Sequence, residues 1–185
     1  MVFILFLFSG SVLINEVMSN PLGSSGAGEP EDRNEFVELY NNCGYSIDVN
    51  HWIVSDFDTE DEILPFIGLN PDSSTLIPPG GYAVILDPEY IDTGSNFMPY
   101  GEPDCIVLRP ENTTIGDGLT NNDSIVLVDV SGDTVSTYFH PFNAGNGYSV
   151  ERVSPLCGDI EENWLTCSDT SGATCGFINS VFSLP

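Results

Sequence analysis

Basic side chains are almost absent from this sequence. Its 185 residues contain no lysine and only three arginines (Arg33, Arg109 and Arg152) against 28 aspartates and glutamates, for a formal net charge of −25. Because such a polyanion repels phosphate backbones, the charge argues against nucleic-acid binding and against attraction to anionic membrane surfaces. Two interpretations of the charge stay open: solubility in a salty or extracellular setting, and attraction of divalent cations.

Residues and motifs typical of catalysis are also scarce. A serine triad needs a histidine base, and the two histidines, His51 before Trp52 and His140 before Pro141, stand where surface or capping residues are common. The sequence contains no G-x-S-x-G elbow, no H-E-x-x-H and no glycine-rich phosphate loop. A pair of carboxylates suited to hydrolysis can be picked out anywhere among so many acidic residues, so such a pair is no evidence for catalysis. We therefore predict that the chain is not an enzyme.

The apolar run that opens the sequence, "MVFILFLFSGS", is too short to cross a membrane, since roughly 18 or more apolar residues are needed. Asn15 and Glu16 follow soon after the run. Ser9 and Ser11 fit a small-x-small cleavage pattern, so we interpret residues 1–11 as a truncated signal peptide. A first core strand is the alternative. The signal-peptide interpretation predicts a secreted or cell-surface protein without a membrane span.

No C-x-x-C pair occurs among the five cysteines, which argues against a zinc ribbon or a thioredoxin-like motif. Three of them crowd into "CGDIEENWLTCSDTSGATC", which is typical of a disulfide-closed loop in an oxidising compartment. We expect residues 159–174 to lack regular structure and to be held by at least one bond among Cys157, Cys167 and Cys175. The pairing stays open, as do the roles of Cys43 and Cys105.

Helical periodicity is missing, and short β-prone runs take its place. Clusters of Gly, Pro, Asn, Asp and Ser separate the runs and supply turn dihedral angles. The pattern predicts an all-β fold, an antiparallel β-sandwich of about 8–10 short strands, with a hairpin near Ser131 and Gly132. The runs are VLINEVM (12–18), EFVELY (35–40), SIDV (46–49), WIVSD (52–56), STLI (74–77), GYAVIL (81–86), CIVL (105–108), DSIVLVD (123–129), TVSTYF (134–139) and YSVER (148–152).

The run "NEFVELYNN" (34–42) places glutamates inside a strand. Side chains alternate along a strand, so Val37 and Leu39 share one face while Phe36, Glu38 and Tyr40 share the other. We expect the aliphatic pair to face the core and Glu38 to face water, because burying an unpartnered carboxylate is costly. A metal ligand or catalytic acid at Glu38 is the alternative. The predicted core comprises Val37, Leu39, Trp52, Val84, Ile125 and Leu127.

The acidic stretch "DFDTEDE" (56–62) is the best candidate for a metal site. Asp56, Asp58 and Glu60 alternate as the first ligands of an EF-hand loop do. The motif then departs, because Asp61 replaces its glycine and Ile67 its bidentate glutamate. The three residues are kept as calcium candidates, with a solvated acidic loop as the alternative.

Several of these motifs, taken in order, resemble the lamin tail domain family, in its exported bacterial members. The resemblance runs from about Val12 to Asn179 through VLINEVMSNP, NEFVELYNN, SIDVNHWIVSD, IPPGGYAVIL, NNDSIVLVD, YSVERV and a later NW. It implies an immunoglobulin-like β-sandwich used for binding or scaffolding, with no active site to carry over. In "ATCGFIN", Cys175 stands where such members have proline, which suggests that a disulfide takes over the role of that turn.

These inferences combine into one expected function. Residues 12–185 form a single sandwich domain that acts as a non-catalytic exported binding or scaffold module of a larger secreted or surface protein. Its partner is expected to be a protein or an extracellular polymer, and no cofactor is expected unless calcium binds. The alternative is a calcium-dependent adhesion or carbohydrate-binding module that uses surface aromatics such as Phe36 and Tyr40.

Overall fold

The computed structural model describes residues 11–23, 33–67, 69, 73–90 and 105–184. Residues 1–10, the apolar part of the interpreted signal peptide, lie outside the described residues. Across the described ranges, no helix has the length and apolar character that a membrane crossing requires.

Short β-strands make up almost all of the regular structure in the described residues. A short 3₁₀ helix spans Glu161–Asn163. The strands are β1 (Val12–Met18), β2 (Phe36–Asn41), β3 (Ile47–Asp48), β4 (Ile53–Ser55), β5 (Glu60–Pro65), β6 (Leu76–Ile77), β7 (Tyr82–Leu86), β8 (Ile106–Pro110), β9 (Ile125–Val128), β10 (Thr134–Tyr138), β11 (Val150–Arg152) and β12 (Trp164–Thr166).

Ten strands join in one sheet in the order β10-β9-β4-β5-β8-β7-β2-β1-β11-β12, while β3 pairs with β6. The sheet curls until β10 returns against β1, where the Ile14 amide donates to Ser136 Oγ at 3.0 Å. This architecture confirms the all-β, immunoglobulin-like sandwich. The prediction of antiparallel pairing does not hold for β7 and β8, which run parallel.

The predicted core is confirmed for most of its members, since Val37, Leu39, Trp52, Ile125 and Leu127 all lie in the main apolar cluster between the layers. Val84 is buried too, but on the opposite face of the sheet. It pairs with Glu38 across β2 and β7, so both side chains point away from the main core.

On that opposite face, the prediction for β2 is wrong. Phe36 and Glu38 are both fully buried rather than solvated. Residues 173–181, which we call the C-terminal segment, cover this face: the Gly176 amide donates to Glu38 and Ala173 packs in the same apolar cluster as Phe36. Only Tyr40 remains half-buried, with its ring 5.1 Å from that of Tyr82.

The structure contains strands that the sequence did not predict. Strand β5 occupies the expected acidic loop, so Glu60 lies in a strand paired with β4 and not in a loop. Strand β12 and the 3₁₀ helix lie in residues 159–174, where no regular structure was expected. Both stretches are rich in acidic or turn-forming residues, whose low strand propensity is overridden by pairing with β4 and β11. The hairpin at Ser131 and Gly132 is confirmed, with β9 and β10 antiparallel.

Candidate functional site

Three glutamates form a buried row across adjacent strands. Glu16 on β1 stands opposite Glu38 on β2 and opposite Glu151 on β11. All three side chains have no solvent exposure. Burying three neighbouring carboxylates away from water destabilises the folded state unless they are protonated or accept hydrogen bonds.

The C-terminal segment supplies many of those donors. Thr174 donates its amide to Glu16 at 2.9 Å and its hydroxyl to Glu151 at 2.7 Å. The Ser180 hydroxyl donates to Glu151 at 2.7 Å. Within the sheet, Ser149 Oγ donates to Glu16 at 2.6 Å. The carboxylates therefore anchor the C-terminal segment to the sheet.

Glu38 is held from both sides, by the Asn15 side-chain amide at 2.7 Å and by the Gly176 amide. Asn179 completes the anchor, since its Nδ2 donates to the carbonyls of Asn15 at 3.0 Å and Arg152 at 2.8 Å. The side chains of Glu38 and Asn179 are thus both hydrogen-bonded within the fold.

Burial also raises the pKa values of Glu16 and Glu38. Desolvation, followed by the nearby Cys105 thiol, raises the pKa of Glu38 to about 8. Desolvation and then the charges of Glu38 and Glu151 raise the pKa of Glu16 well above its usual value. A raised carboxyl pKa in an open cleft would suggest a general acid. Here the C-terminal segment covers Glu38, whose carboxylate accepts the Gly176 amide.

Glu35, the other glutamate of the "NEFVELYNN" run, is also used within the fold. Its Oε2 accepts the amide of Leu119 at 2.8 Å. This contact ties β2 to the turn that precedes β9. Both glutamates of the run therefore act as acceptors for distant segments, a role that strand alternation alone cannot reveal.

The carboxylates of the three calcium candidates do not form a cluster in the described part of the chain. Asp56 is buried, and its carboxylate accepts the amides of Asp58 at 3.0 Å, Thr59 at 2.9 Å and Asp117 at 3.0 Å. Asp58 and Glu60 are exposed. In the described part of the chain, no group of three or more His, Cys, Asp or Glu side chains is placed to hold a metal ion. Calcium binding stays a prediction.

An open groove, which we call the acidic groove, lies where β10 ends beside the 3₁₀ helix and β12. Its volume is about 670 Å³. One side carries Glu161 and Glu162, and exposed apolar surface comes from Phe139 and Leu165. The Phe139 ring also lies 5.9 Å from that of Phe57, which is exposed. The lining residues are Phe139, His140, Pro141, Phe142, Glu161, Glu162, Trp164 and Leu165.

Sequence reasoning missed the acidic groove because its two sides come from segments that are separated in the chain. The aromatic side begins in "YFHPF" and the acidic side in "EENWL". An accumulation of aromatic residues in a predicted turn is the one local signal that could have suggested it. Trp164 forms the floor, where it packs edge-on against Tyr138 at 4.6 Å and under the Arg152 guanidinium at 4.4 Å.

The curled β-sheets define the class of this molecule, an immunoglobulin-like β-sandwich domain. The sequence comparison then gives the family: a model of the Lamin Tail Domain matches residues 9–140, and the chain belongs to that family. Domains of this family are generally non-enzymatic. A search of curated proteins found no match to the chain. The family match ends before β11, although β11 and β12 continue the same sheet.

Proposed function

We propose that this lamin tail domain is a non-catalytic, exported binding module that holds a cationic segment of a partner protein in the acidic groove. The observation that carries the proposal is the combination of exposed apolar surface at Phe139 and Leu165 with the carboxylates of Glu161 and Glu162. The module would work as one part of a larger secreted or surface protein.

The chemistry of the acidic groove favours an arginine- or lysine-containing segment. Aromatic rings beside carboxylates offer a cation both an ion pair and a cation–π contact. The volume of about 670 Å³ suits a few side chains rather than a whole domain. The net charge of −25 would steer a cationic partner toward the molecule and raise its association rate.

The buried carboxylates support the non-catalytic part of the proposal. Glu16, Glu38 and Glu151 have their oxygens engaged by the chain's own donors under the C-terminal segment. A substrate would have to displace that segment to reach them. A screen for glycosidase, nuclease and esterase turnover tests this part, and any turnover that is lost in Glu38→Gln would contradict it.

A direct test measures binding of fluorescein-labelled peptides by fluorescence anisotropy at about 0.15 M salt, where long-range attraction is largely screened. The probes are an extended peptide of alternating arginine and tyrosine and its counterpart with glutamate in place of arginine. We expect the arginine peptide to bind and the glutamate peptide not to bind.

The variant Glu161→Gln/Glu162→Gln removes two charges from the acidic groove. Its matched control, Glu111→Gln/Asp133→Asn, removes two charges from exposed residues elsewhere. We expect the groove variant to lose at least about fivefold more affinity than the control, which corresponds to about 1 kcal/mol. Equal losses in both variants would mean that the peptide recognises net charge alone, and the groove assignment would fail.

Carbohydrate binding with calcium is the second candidate function. Phe36 is buried and Tyr40 is half-buried against Tyr82, so the aromatics first considered for it are poorly available. The adjoining exposed rings of Phe57 and Phe139 favour it instead. Affinity electrophoresis in gels containing soluble polysaccharides, with calcium or a chelator, separates the candidates. Calcium-dependent retardation that is lost in Phe139→Ser would support this second function.

A further inference from the structure

Cys105 and Cys175 are distant in sequence but lie at the same apolar cluster, on the face of the sheet that the C-terminal segment covers. Cys105 lies directly before β8, and Cys175 lies in the C-terminal segment that covers the glutamate row. Cys175 belongs to a buried apolar cluster, and Cys105 packs against the same cluster, so the two side chains are neighbours. We propose that Cys105 and Cys175 form a disulfide bond that fastens the C-terminal segment to β8.

The surroundings hold both sulfur atoms in place. Cys175 belongs to the apolar cluster on the outer face of the sheet, and Cys105 packs against that cluster. The neighbouring Gly176 amide is bonded to Glu38, which fixes the backbone next to Cys175. A disulfide requires its two β-carbons to lie about 4 Å apart with suitable direction. Shared packing in one cluster, on a backbone anchored at Gly176, keeps the two cysteine side chains near each other.

Solvent access decides the order of the reaction. Cys105 is partly exposed, whereas Cys175 is only 5% exposed. The Cys105 thiolate attacks an oxidant that carries a disulfide, which forms a mixed disulfide and releases one thiol. The Cys175 sulfur then loses its proton and attacks the Cys105 sulfur, which releases the second thiol. Two protein thiols are oxidised to one disulfide while the oxidant's disulfide is reduced to two thiols.

The other cysteines have different surroundings. Cys167 is in contact with the Ser180 hydroxyl at 3.6 Å, and burial raises its pKa to about 12. Cys43 is buried in the main part of the fold and Cys157 is half-buried beyond β11. The proposed bond therefore joins Cys175 to a partner outside the set of Cys157, Cys167 and Cys175 that the sequence suggested.

Peptide mapping can identify the cysteines that are linked. Trypsin is unsuitable, because a chain with three arginines and no lysine offers it few cleavage sites. A protease that cleaves before aspartate places each cysteine in its own peptide. The folded protein is treated with oxidised glutathione, its remaining thiols are alkylated without reductant, and the digest is analysed by mass spectrometry. The five peptides are 32–47, 104–116, 133–158, 159–168 and 169–185.

We expect peptides 104–116 and 169–185 to appear as one linked species, with the other three peptides alkylated. Oxidation should raise the melting temperature by about 5–15 °C, because the bond closes a long loop in the unfolded chain. Cys105→Ser should abolish both the link and the rise. Cys157→Ser, which changes another half-buried cysteine, should retain both.

Two results would overturn the proposal. One is alkylation of both Cys105 and Cys175 after complete exposure of the folded protein to the oxidant. The other is a link from Cys175 to Cys43, Cys157 or Cys167. A parallel oxidation in guanidinium chloride should give a mixture of links, and the same mixture from the folded protein would show that the fold does not select the pair. The reduced and oxidised wild-type protein supply the comparison even if Cys105→Ser folds poorly.

Discussion

Glu38 shows how a carboxylate can be buried when the fold supplies it with hydrogen-bond donors. Glu38 stands on a β2 face that alternation identifies correctly, but a distant segment decides whether that face meets water. Its partner Gly176 lies 138 positions further along the chain. Because this contact is so distant in sequence, the local pattern favoured an outward orientation of the Glu38 side chain, which avoids desolvation. In the structure, hydrogen bonds from Asn15 and Gly176 make the buried orientation possible.

The raised pKa values predict an unusual dependence of stability on pH. Burial raises the pKa of Glu38 from 4.5 to about 8, and that of Glu16 is raised as well. Between those pH values the folded state holds a proton that the unfolded state has lost, so the free energy of unfolding falls as pH rises. We expect a higher melting temperature at pH 5 than at pH 8, measured by calorimetry at constant ionic strength.

The variant Glu38→Gln isolates this contribution. Glutamine still accepts from Asn15 but turns an amide toward Gly176, so stability should fall at every pH. Its slope between pH 5 and pH 8 should be shallower than the wild-type slope by up to about 1.4 kcal/mol per pH unit, the value for one proton. Glu162→Gln, at an exposed position, should keep the wild-type slope. An unchanged slope in Glu38→Gln would mean that Glu38 is ionised in the folded state.

Trp52 provides a second prediction at this scale. It is 8% exposed and packs in the main core cluster at the start of β4. Trp52→Ala should lower the free energy of unfolding by about 3–5 kcal/mol, because it removes a large buried ring and leaves a cavity. Tyr45→Ala, at a ring that is 65% exposed, should cost less than about 0.5 kcal/mol. Denaturant titration measures both, and similar losses would contradict the packing described for Trp52.

Among the elements, the C-terminal segment does the most to organise the outer face of the sheet. It has few backbone pairings of its own and is anchored mainly through side chains of β1, β2 and β11. Such an element gives almost no periodic signal in the sequence, since its conformation is set by hydrogen bonds to the strands that it covers. The same holds for β12, whose three residues are ordered by pairing with β11.

Asn179 should be critical for docking of the C-terminal segment. Asn179→Ala leaves the carbonyls of Asn15 and Arg152 without a buried donor, so we expect a loss of about 2–3 kcal/mol. Hydrogen exchange at the Gly176 and Val181 amides should accelerate before the core exchanges. Ser183→Ala, at an exposed hydroxyl, serves as the control. Destabilisation with unchanged exchange at those two amides would show that Asn179 acts elsewhere.

At the scale of the whole molecule, charge dominates. Repulsion among carboxylates at a net charge of −25 should relax in salt, so the melting temperature should rise with ionic strength. Because Asp56 is already engaged by three amides, we expect sodium chloride to reproduce most of the effect of millimolar calcium at matched ionic strength.

A rise in melting temperature that is specific to calcium would instead indicate a calcium site. An ion that binds only the folded state stabilises it by about 2.7 kcal/mol at a hundredfold excess over the dissociation constant. If calcium raises the melting temperature well beyond sodium, and Asp58→Asn removes that excess, then Asp56, Asp58 and Glu60 form a site after rearrangement of the loop. Asp58 is the informative position because it is exposed and its side chain is not among the loop's hydrogen-bond acceptors described above.

Much of the fold could be predicted because its signals are local. Alternation in "EFVELY" and turn residues around Gly132 act within a few positions, and they identified β2 and the β9–β10 hairpin. Strand β5 was missed because its acidic residues have low strand propensity, which pairing with β4 and β8 overrides. Of the candidate site, the acidic groove was missed entirely, since its sides come from separate segments.

The sequence by itself determined the charge, the scarcity of catalytic residues, the all-β class and the family, because composition, alternation and turn chemistry depend only on neighbouring residues. Only the tertiary structure decided that Glu38 is buried, that Cys105 and Cys175 pack at the same apolar cluster and that the acidic groove exists. Each depends on which distant segment covers a given face. That choice is made by packing and by hydrogen bonds between segments far apart in the chain, which no local pattern encodes.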